Sequence, residues 1–436
     1  MNTEMSIRNR ALQALIQFEQ SDTSLKTVLR EMQTTTTDVS EIHTSSSLSL
    51  SVIRYRNTID YLLTRFLKNQ KLSNLNIRDR NILRLVLYET KWLDLDLETT
   101  LSLYPKIKNS HLRAVTLALN SDLDELVQNS PLVNKLSIKY SHPTFLVKTL
   151  LDNMPLEDTI QALKENNSSR NYYLRLNRLK NEDTSILDSI EGVRISEDST
   201  LPGLFTVDEG IEHLVTSQLF YDGLILLQDK SSVFVVEAVD PHPGQTIWDS
   251  CAAPGMKTQL IAEKLRTNGK IIASDVYRDR VRAAKDRSQQ LNANQIEWIL
   301  ADSTRPVVTS ANKVLIDAPC TSSGILQSYP SFKWRLNKDT LFSLMTIQNK
   351  LLEGIISSYQ NRSDTEIIFS TCSMLPHEGE SQIDNVLSKY NVELLDPVVP
   401  GTHGYPGFNC SDQVTRLFPH KHKTGGFFIA RLRLKH

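Results

Sequence analysis

From about Gln228 onward, short apolar runs alternate with stretches of helical periodicity, and this alternation is what most limits the fold. Strands separated by crossover helices run parallel and build a doubly wound α/β sheet. The candidate strands run from Thr246 to Asp249, Lys270 to Ser274, Ile296 to Leu300, Lys313 to Asp317 and Glu366 to Ser370. In such a sheet the ligand site lies beyond the carboxyl ends of the strands. At that edge the sequence places Asp249, Asp275, Asp302, Asp317 and Cys372. One acid after a strand is ordinarily a helix cap, but four acids and a thiol on one edge are better explained by a site.

The chain has 436 residues, 40% of them hydrophobic and 23% charged, which is too long for one ordinary core. Several domains are therefore expected. The formal net charge of -1 gives no global attraction to phosphates, so any nucleic-acid binding must come from local basic patches. The opening MNTEMSIRNRALQALIQFEQ mixes charge into its apolar positions, unlike a signal peptide, and no apolar run is long enough to span a bilayer. The expected location is cytoplasmic, with no membrane partner. Four cysteines, Cys251, Cys320, Cys372 and Cys410, lie far apart without a CxxC pair, which argues against zinc or any other metal and against a disulfide framework. Inert packing is the default role of each.

Upstream, Val52, Tyr55, Ile59, Leu62 and Phe66 recur at steps of three and four, as on one face of an amphipathic helix. The Ser- and Thr-rich stretch from Thr34 to Ser51 reads as a loop and a helix start. Arg54, Arg56, Arg65, Lys68, Lys71, Arg78, Arg80, Arg84 and Lys91 interleave with Tyr55, Tyr61, Phe66, Tyr88 and Trp92. A solvated helix face and an RNA-facing surface account for that cluster equally well. Two prolines between Ser130 and Pro143 suggest a boundary, and YYLRLN from Tyr172 to Asn177 reads as a strand. The expected organisation is an all-α domain over residues 1–130, a small α+β connecting domain over 131–227 and the α/β domain over 228–436.

After Asp249 comes the turn Cys251-Ala252-Ala253-Pro254-Gly255, then Met256 and Lys257 at a helix start. Small side chains there let backbone N–H groups and the helix N-terminus approach a ligand closely. The turn lacks the GxGxxG of dinucleotide sites. Asp275, closing the next strand, is placed to accept hydrogen bonds from ribose hydroxyls, and Asp302 from an adenine amino group. An adenosine-containing cofactor fits these groups. Cys320, in Asp317-Ala318-Pro319-Cys320, and Cys372 each follow an apolar strand. Carbon 5 of cytosine is a poor nucleophile, but a thiolate added to carbon 6 makes the ring an enamine that can attack a methyl sulfonium. The adduct must then lose its carbon 5 proton and expel the thiol, so a second base is useful, and a carboxylic acid near ring nitrogen 3 favours addition. Cys372, Cys320 and Asp317 can supply these roles.

The segments DSCAAPGMKT, DAPCTSSG, YPSFKWR and FSTCSMLPHEGE resemble, in order and spacing, the motifs of the Sun/RsmB-type RNA (cytosine-5) methyltransferases of the Sun-domain family. The resemblance implies a Rossmann-like methyltransferase domain that uses S-adenosylmethionine. It makes Cys372 the nucleophile and Cys320 a helper of product release. Cofactor contacts would fall on Cys251, Ala252, Ala253, Pro254, Gly255, Met256, Lys257, Asp275, Asp302 and Asp317, with Arg280 on the ribose side. Lys257 would also lie near the target base. The run from Ile7 to about Asn129 is similar to the NusB-type helical RNA-binding domain of the 16S ribosomal RNA members. YSHPTFLV, ENNSSRNYYLRLN and QDKSSVFVVEAV resemble the connecting domain. The implied protein is a monomer acting on 16S ribosomal RNA.

The sequence departs from the family at three glycine-related positions. Met256 stands where a second glycine is usual, and a left-handed backbone there would be strained by methionine. Gly379 replaces an asparagine, and Gly425 an aspartate. Three alternatives stay open: a DNA-type cytosine-5 mechanism with Cys320 as nucleophile, transfer RNA as substrate, and a catalytically silent ribosome-assembly protein.

Overall fold

A computed structural model describes residues 2–32, 38–68, 70–105, 107–266, 268–362 and 364–435. The chain makes two compact units, Met1–Ser168 with Leu326–Leu336, and Ser169–Ile325 with Asn337–His436.

The first unit is helical. The helices Asn2–Gln20, Val39–Arg54, Arg56–Phe66, Ile77–Trp92 and Asn109–Leu119 bury a core that includes Leu15, Ile53, Ile59, Leu62, Val86 and Ala114. The stripe from Val52 to Phe66 faces this core, but it is divided between two helices that break at Tyr55 (φ -101°, ψ 12°). The break has an identifiable cause. The carbonyls of Ile53 and Arg54 accept hydrogen bonds from Trp334 Nε1 (2.8 Å) and Lys333 Nζ (3.2 Å), and Asn57 N donates to Ser141 Oγ (3.0 Å). The YPSFKWR motif thus packs among these helices, with Lys333 fully buried against Ser141 O and Asn167 Oδ1 as well. Of the expected loop, residues 34–37 lie outside the described residues. Helix begins at Val39, where Asp38 caps Glu41 N (3.1 Å).

Much of the basic cluster serves packing. Arg84 is buried and holds Asp60 in a two-point pair (2.6 and 2.7 Å) as well as Glu19, which also takes Arg80 (2.5 Å). Lys91 donates to the carbonyls of Ala118, Leu119 and Ser121, closing a helix end. Tyr55, Tyr88 and Trp92 stack on one another. Arg65, Lys68, Lys71 and Arg78 remain exposed.

The second unit holds two sheets. The smaller is antiparallel, in the order β2-β3-β1-β4, from β1 (Tyr172–Leu176), β2 (Arg194–Glu197), β3 (Leu204–Glu209) and β4 (Ile225–Leu227). The larger contains β5 (Thr246–Asp249), β6 (Lys270–Asp275), β7 (Ile296–Leu300), β8 (Lys313–Asp317), β9 (Glu366–Thr371), β10 (Val392–Leu395), β11 (Thr415–Leu417) and β12 (Phe427–Leu434). Its order is β10-β12-β9-β8-β5-β6-β7, with β11 added on β12. Strands β5 to β9 are mutually parallel, and β10, β11 and β12 join antiparallel. The five expected strands are present, two of them one residue longer. Helices Lys230–Val239 and Met256–Leu265 pack in one core beside the sheet, and Lys338–Tyr359 with Glu380–Lys389 in another. This is the Rossmann-like arrangement. Successive strands run outward from β5 in one direction and from β8 in the other, so the loops after β5 and β8 flank the switch point where such sheets bind ligands. No described helix is long and apolar enough to cross a membrane.

Candidate active site

The loop after β5 turns through a cis Ala253–Pro254 bond to Gly255, which caps the helix Met256–Leu265 at φ +97°. A side chain at Gly255 would be strained by that backbone, and its Cβ would lie 3.2 Å from the Trp298 ring. Met256 is the first residue of the helix and is not left-handed, which corrects the expectation of strain there. The glycine requirement falls one position earlier. Gly255→Ala should therefore cost about 1–3 kcal/mol, read as a lower urea midpoint; an unchanged midpoint would show that the turn can relax.

Three acids follow from neighbouring strand ends. Asp249 is buried, and its Oδ2 accepts from Thr258 Oγ1 (2.7 Å), while Oδ1 meets no hydrogen-bond donor in good geometry among the described residues. Burial pushes its carboxyl up to about 7. Asp275 accepts from Tyr277 N (3.1 Å) and lies 3.4 Å from Arg280 Nη1, while Arg280 Nη2 donates to Ala253 O. Arg280 thus ties Asp275 to the loop after β5. Asp302 is exposed, and hydrogen bonds from the Thr304 hydroxyl (2.7 Å) and amide (3.0 Å) hold its carboxyl below the usual range. Ala301 N donates to Asp275 O (3.2 Å), so these two acids sit on adjoining ends. Ser303 Oγ bonds Ser250 O (2.7 Å) and Ser274 Oγ (3.1 Å), knitting the three loops together. Burial first, and then the Asp249 charge, push the Cys251 thiol up.

On the other side of the switch point, β8 and β9 pair with Asp317 opposite Ser370. Ser370 Oγ donates to Asp317 Oδ1 (2.8 Å), and Lys257 Nζ to Asp317 Oδ2 (2.7 Å). Against the cost of burial, the Asp317 charge and hydrogen bond hold the Lys257 ammonium above its usual range. Cys320 Sγ and Cys372 Sγ lie 3.2 Å apart as free thiols. Ser322 Oγ lies 3.5 Å from Cys372 Sγ, on a residue held left-handed at φ +57°. The contact between the sulfurs, in which either can be the donor, shifts the Cys372 thiol down and, with burial, the Cys320 thiol up.

Two groups that the sequence reading did not single out organise this edge. Glu378, in a single turn after β9, accepts hydrogen bonds from residues next to both cysteines. Arg416, on β11, is fully buried with Glu380 (2.6 Å) and donates to the carbonyls of Ser373 (3.0 Å) and Leu375 (3.2 Å). Gly379 fits beneath them, because a Cβ there would come 2.7 Å from Phe428 and 2.8 Å from Arg416 Nη2. At Gly425 a Cβ would lie 3.4 Å from Asp229 Oδ1, which takes Thr424 Oγ1 (2.7 Å) and Ser231 N (2.9 Å). An aspartate at 425 would crowd that carboxylate. Among the described residues, no cluster of three His, Cys, Asp or Glu side chains could hold a metal ion.

A parallel sheet that reverses its strand order above a small-residue turn, three acids and a thiol pair defines a Rossmann-like methyltransferase. Residues 236–433 match the family described as 16S rRNA methyltransferase RsmB/F, and residues 5–107 match the NusB family. Residues 236–433 thus form an RsmB/F-type methyltransferase domain, and residues 5–107 a NusB-type domain. It is 26% identical to the probable ribosomal RNA small subunit methyltransferase B of Bacillus subtilis (strain 168), over 99% of both chains. It is 28% identical to the 28S rRNA (cytosine(4447)-C(5))-methyltransferase of Homo sapiens, over 68% of this chain and 38% of that one. Among solved structures, it matches a methyltransferase homolog protein from Pyrococcus horikoshii with a TM-score of 0.62 and 25% identity, covering 70% of this chain and 100% of that one. NSun6 from the same organism, solved with SFG, shares the fold at a TM-score of 0.60 and 21% identity, covering 67% and 99%.

Proposed function

We propose that the chain transfers a methyl group from S-adenosylmethionine to carbon 5 of a cytosine in 16S ribosomal RNA, through a covalent adduct of Cys372. The observation that carries this reading is the thiol pair, 3.2 Å apart at the ends of β8 and β9, beside the Lys257–Asp317 pair. Residues 1–130 would bind RNA, 131–227 connect, and 228–436 catalyse, in a cytoplasmic monomer that needs no metal. The names of the Bacillus and human relatives, both ribosomal RNA methyltransferases, support the substrate class.

The residues fit the cofactor. Asp275 and Asp302 are acceptors suited to ribose hydroxyls and an adenine amino group, the turn from Cys251 to Gly255 is small enough for close approach, and the buried Asp249 Oδ1 meets no well-placed donor among the described residues. Met256 and Lys257 would contribute from the helix start, and Asp317 from β8. When bound, the cofactor supplies an electrophilic methyl group. The Cys372 thiolate forms a bond to carbon 6, pushing an electron pair toward ring nitrogen 3, where a proton held between Lys257 and Asp317 neutralises it. Once carbon 5 has bonded to the methyl group, a base removes the carbon 5 proton, the carbon–sulfur bond breaks so that Cys372 leaves as thiolate, and ring nitrogen 3 returns its proton to the Lys257–Asp317 pair. The Cys320 thiol assists by hydrogen bonding to the departing sulfur.

Asp275→Ala should weaken cofactor binding by about 1–3 kcal/mol; unchanged affinity in a calorimeter would move the ribose contact elsewhere. Bisulfite mapping of total RNA from a strain lacking the protein tests the substrate. One 5-methylcytosine should vanish from 16S ribosomal RNA. Loss from a transfer RNA, with 16S intact, would overturn that part of the reading.

A further inference from the structure

Glu378 is a fully buried carboxylate, and no ion pair reaches it among the described residues. It is satisfied by hydrogen bonds alone. Oε1 accepts from Thr321 N (2.9 Å) and Gln348 Nε2 (3.0 Å), and Oε2 accepts from Thr321 Oγ1 (2.5 Å) and Ser373 Oγ (2.6 Å). Thr321 directly follows Cys320, and Ser373 directly follows Cys372. Gln348 Nε2 also donates to Pro319 O (2.9 Å), the residue before Cys320. Further bonds lace the same loops, from Gly324 N to Cys372 O (3.0 Å) and from Met374 N to Ser323 Oγ (3.0 Å).

Four neutral donors could hold a neutral amide just as well, because both hydroxyls can also accept. A buried acid without a counter-ion is costly to ionise, so an acid here in place of the amide calls for a use. We propose that Glu378 is the positioning residue of the thiol pair: its carboxylate joins the loops that carry the two cysteines and, by its charge, keeps the shared proton on Cys320, leaving Cys372 as the attacking sulfur. The inference rests on the reading of Cys372 as nucleophile. Two of the four donors to Glu378 belong to Thr321, next to Cys320, and one to Ser373, next to Cys372; the other charged groups at the thiols are Asp317 and Lys257, joined to each other.

The test is alkylation of the full chain by iodoacetamide across pH, with each cysteine followed by peptide mass spectrometry and with neither RNA nor cofactor added. Thiolates react and thiols do not, so rates report ionisation. In the wild-type chain Cys372 should react faster than Cys320 and with the lower pH midpoint. In Glu378→Gln, which keeps the shape and removes the charge, the Cys372-to-Cys320 rate ratio should fall about tenfold or more, the change expected for a shift of one pH unit between the two midpoints. An unchanged ratio in folded Glu378→Gln overturns the proposal. So does a wild-type chain in which Cys320 reacts first, a result that does not depend on any variant folding. Because no RNA is present, failure here is distinguishable from failure of the substrate reading, which the bisulfite map decides.

Discussion

Cys372→Ala should lower methyl transfer by about four orders of magnitude or more, the scale on which removing a covalent nucleophile acts, and leave cofactor affinity unchanged. The split follows from geometry. Cys372 stands at the end of β9 beside Cys320 and Ser322, whereas the groups suited to the cofactor stand mainly at the ends of β5, β6 and β7. Removing the thiol takes away the bond to carbon 6 and touches none of Asp249, Asp275 or Asp302. Single-turnover transfer to RNA, with calorimetry for the cofactor, separates the two effects. Transfer within tenfold of wild type would remove Cys372 from the mechanism.

The largest expected loss of stability comes from Glu380→Ala. Arg416 and Glu380 are both fully buried, joined through Nε (2.6 Å) and Nη2 (2.5 Å). Truncating Glu380 strands a guanidinium without a counter-ion in the interior, which costs about 3–5 kcal/mol. It also loosens the donors that hold Ser373 O and Leu375 O, so the loop that carries Cys372 should lose its fixed position. Urea unfolding of the variant should show the drop, with transfer rate falling in the protein that stays folded. A loss below about 1 kcal/mol would mean that water reaches Arg416 and replaces the carboxylate.

The sequence made the parallel half of the sheet legible because strands covered on both faces are near-continuous apolar runs, as in KVLID and EIIFS, with long helical crossovers between them. Strands β10 and β11 are four and three residues long and give too little pattern to stand out, so the antiparallel edge with β12 was not anticipated. The acids and cysteines at the strand ends could be found because chain order alone sets which residue follows a strand. Glu378 and Arg416 could not. Their partners lie 57 and 36 residues away, at Thr321 and Glu380, and no local spacing announces such pairings. The break at Tyr55 was hidden for the same reason, since the groups that take the freed carbonyls come from Lys333 and Trp334. At the turn after β5 the glycine requirement was assigned to 256 when the left-handed residue is Gly255, a one-residue slip that only backbone angles reveal.

The central claim, that Cys372 attacks and Cys320 helps release, is tested most directly by denaturing gel electrophoresis of each alanine variant with radiolabelled RNA and cofactor. Cys320→Ala should complete addition and methylation but eliminate slowly, so a covalent protein–RNA band should accumulate, while Cys372→Ala should give none. A shifted band formed only by Cys372→Ala would contradict the account and make Cys320 the nucleophile.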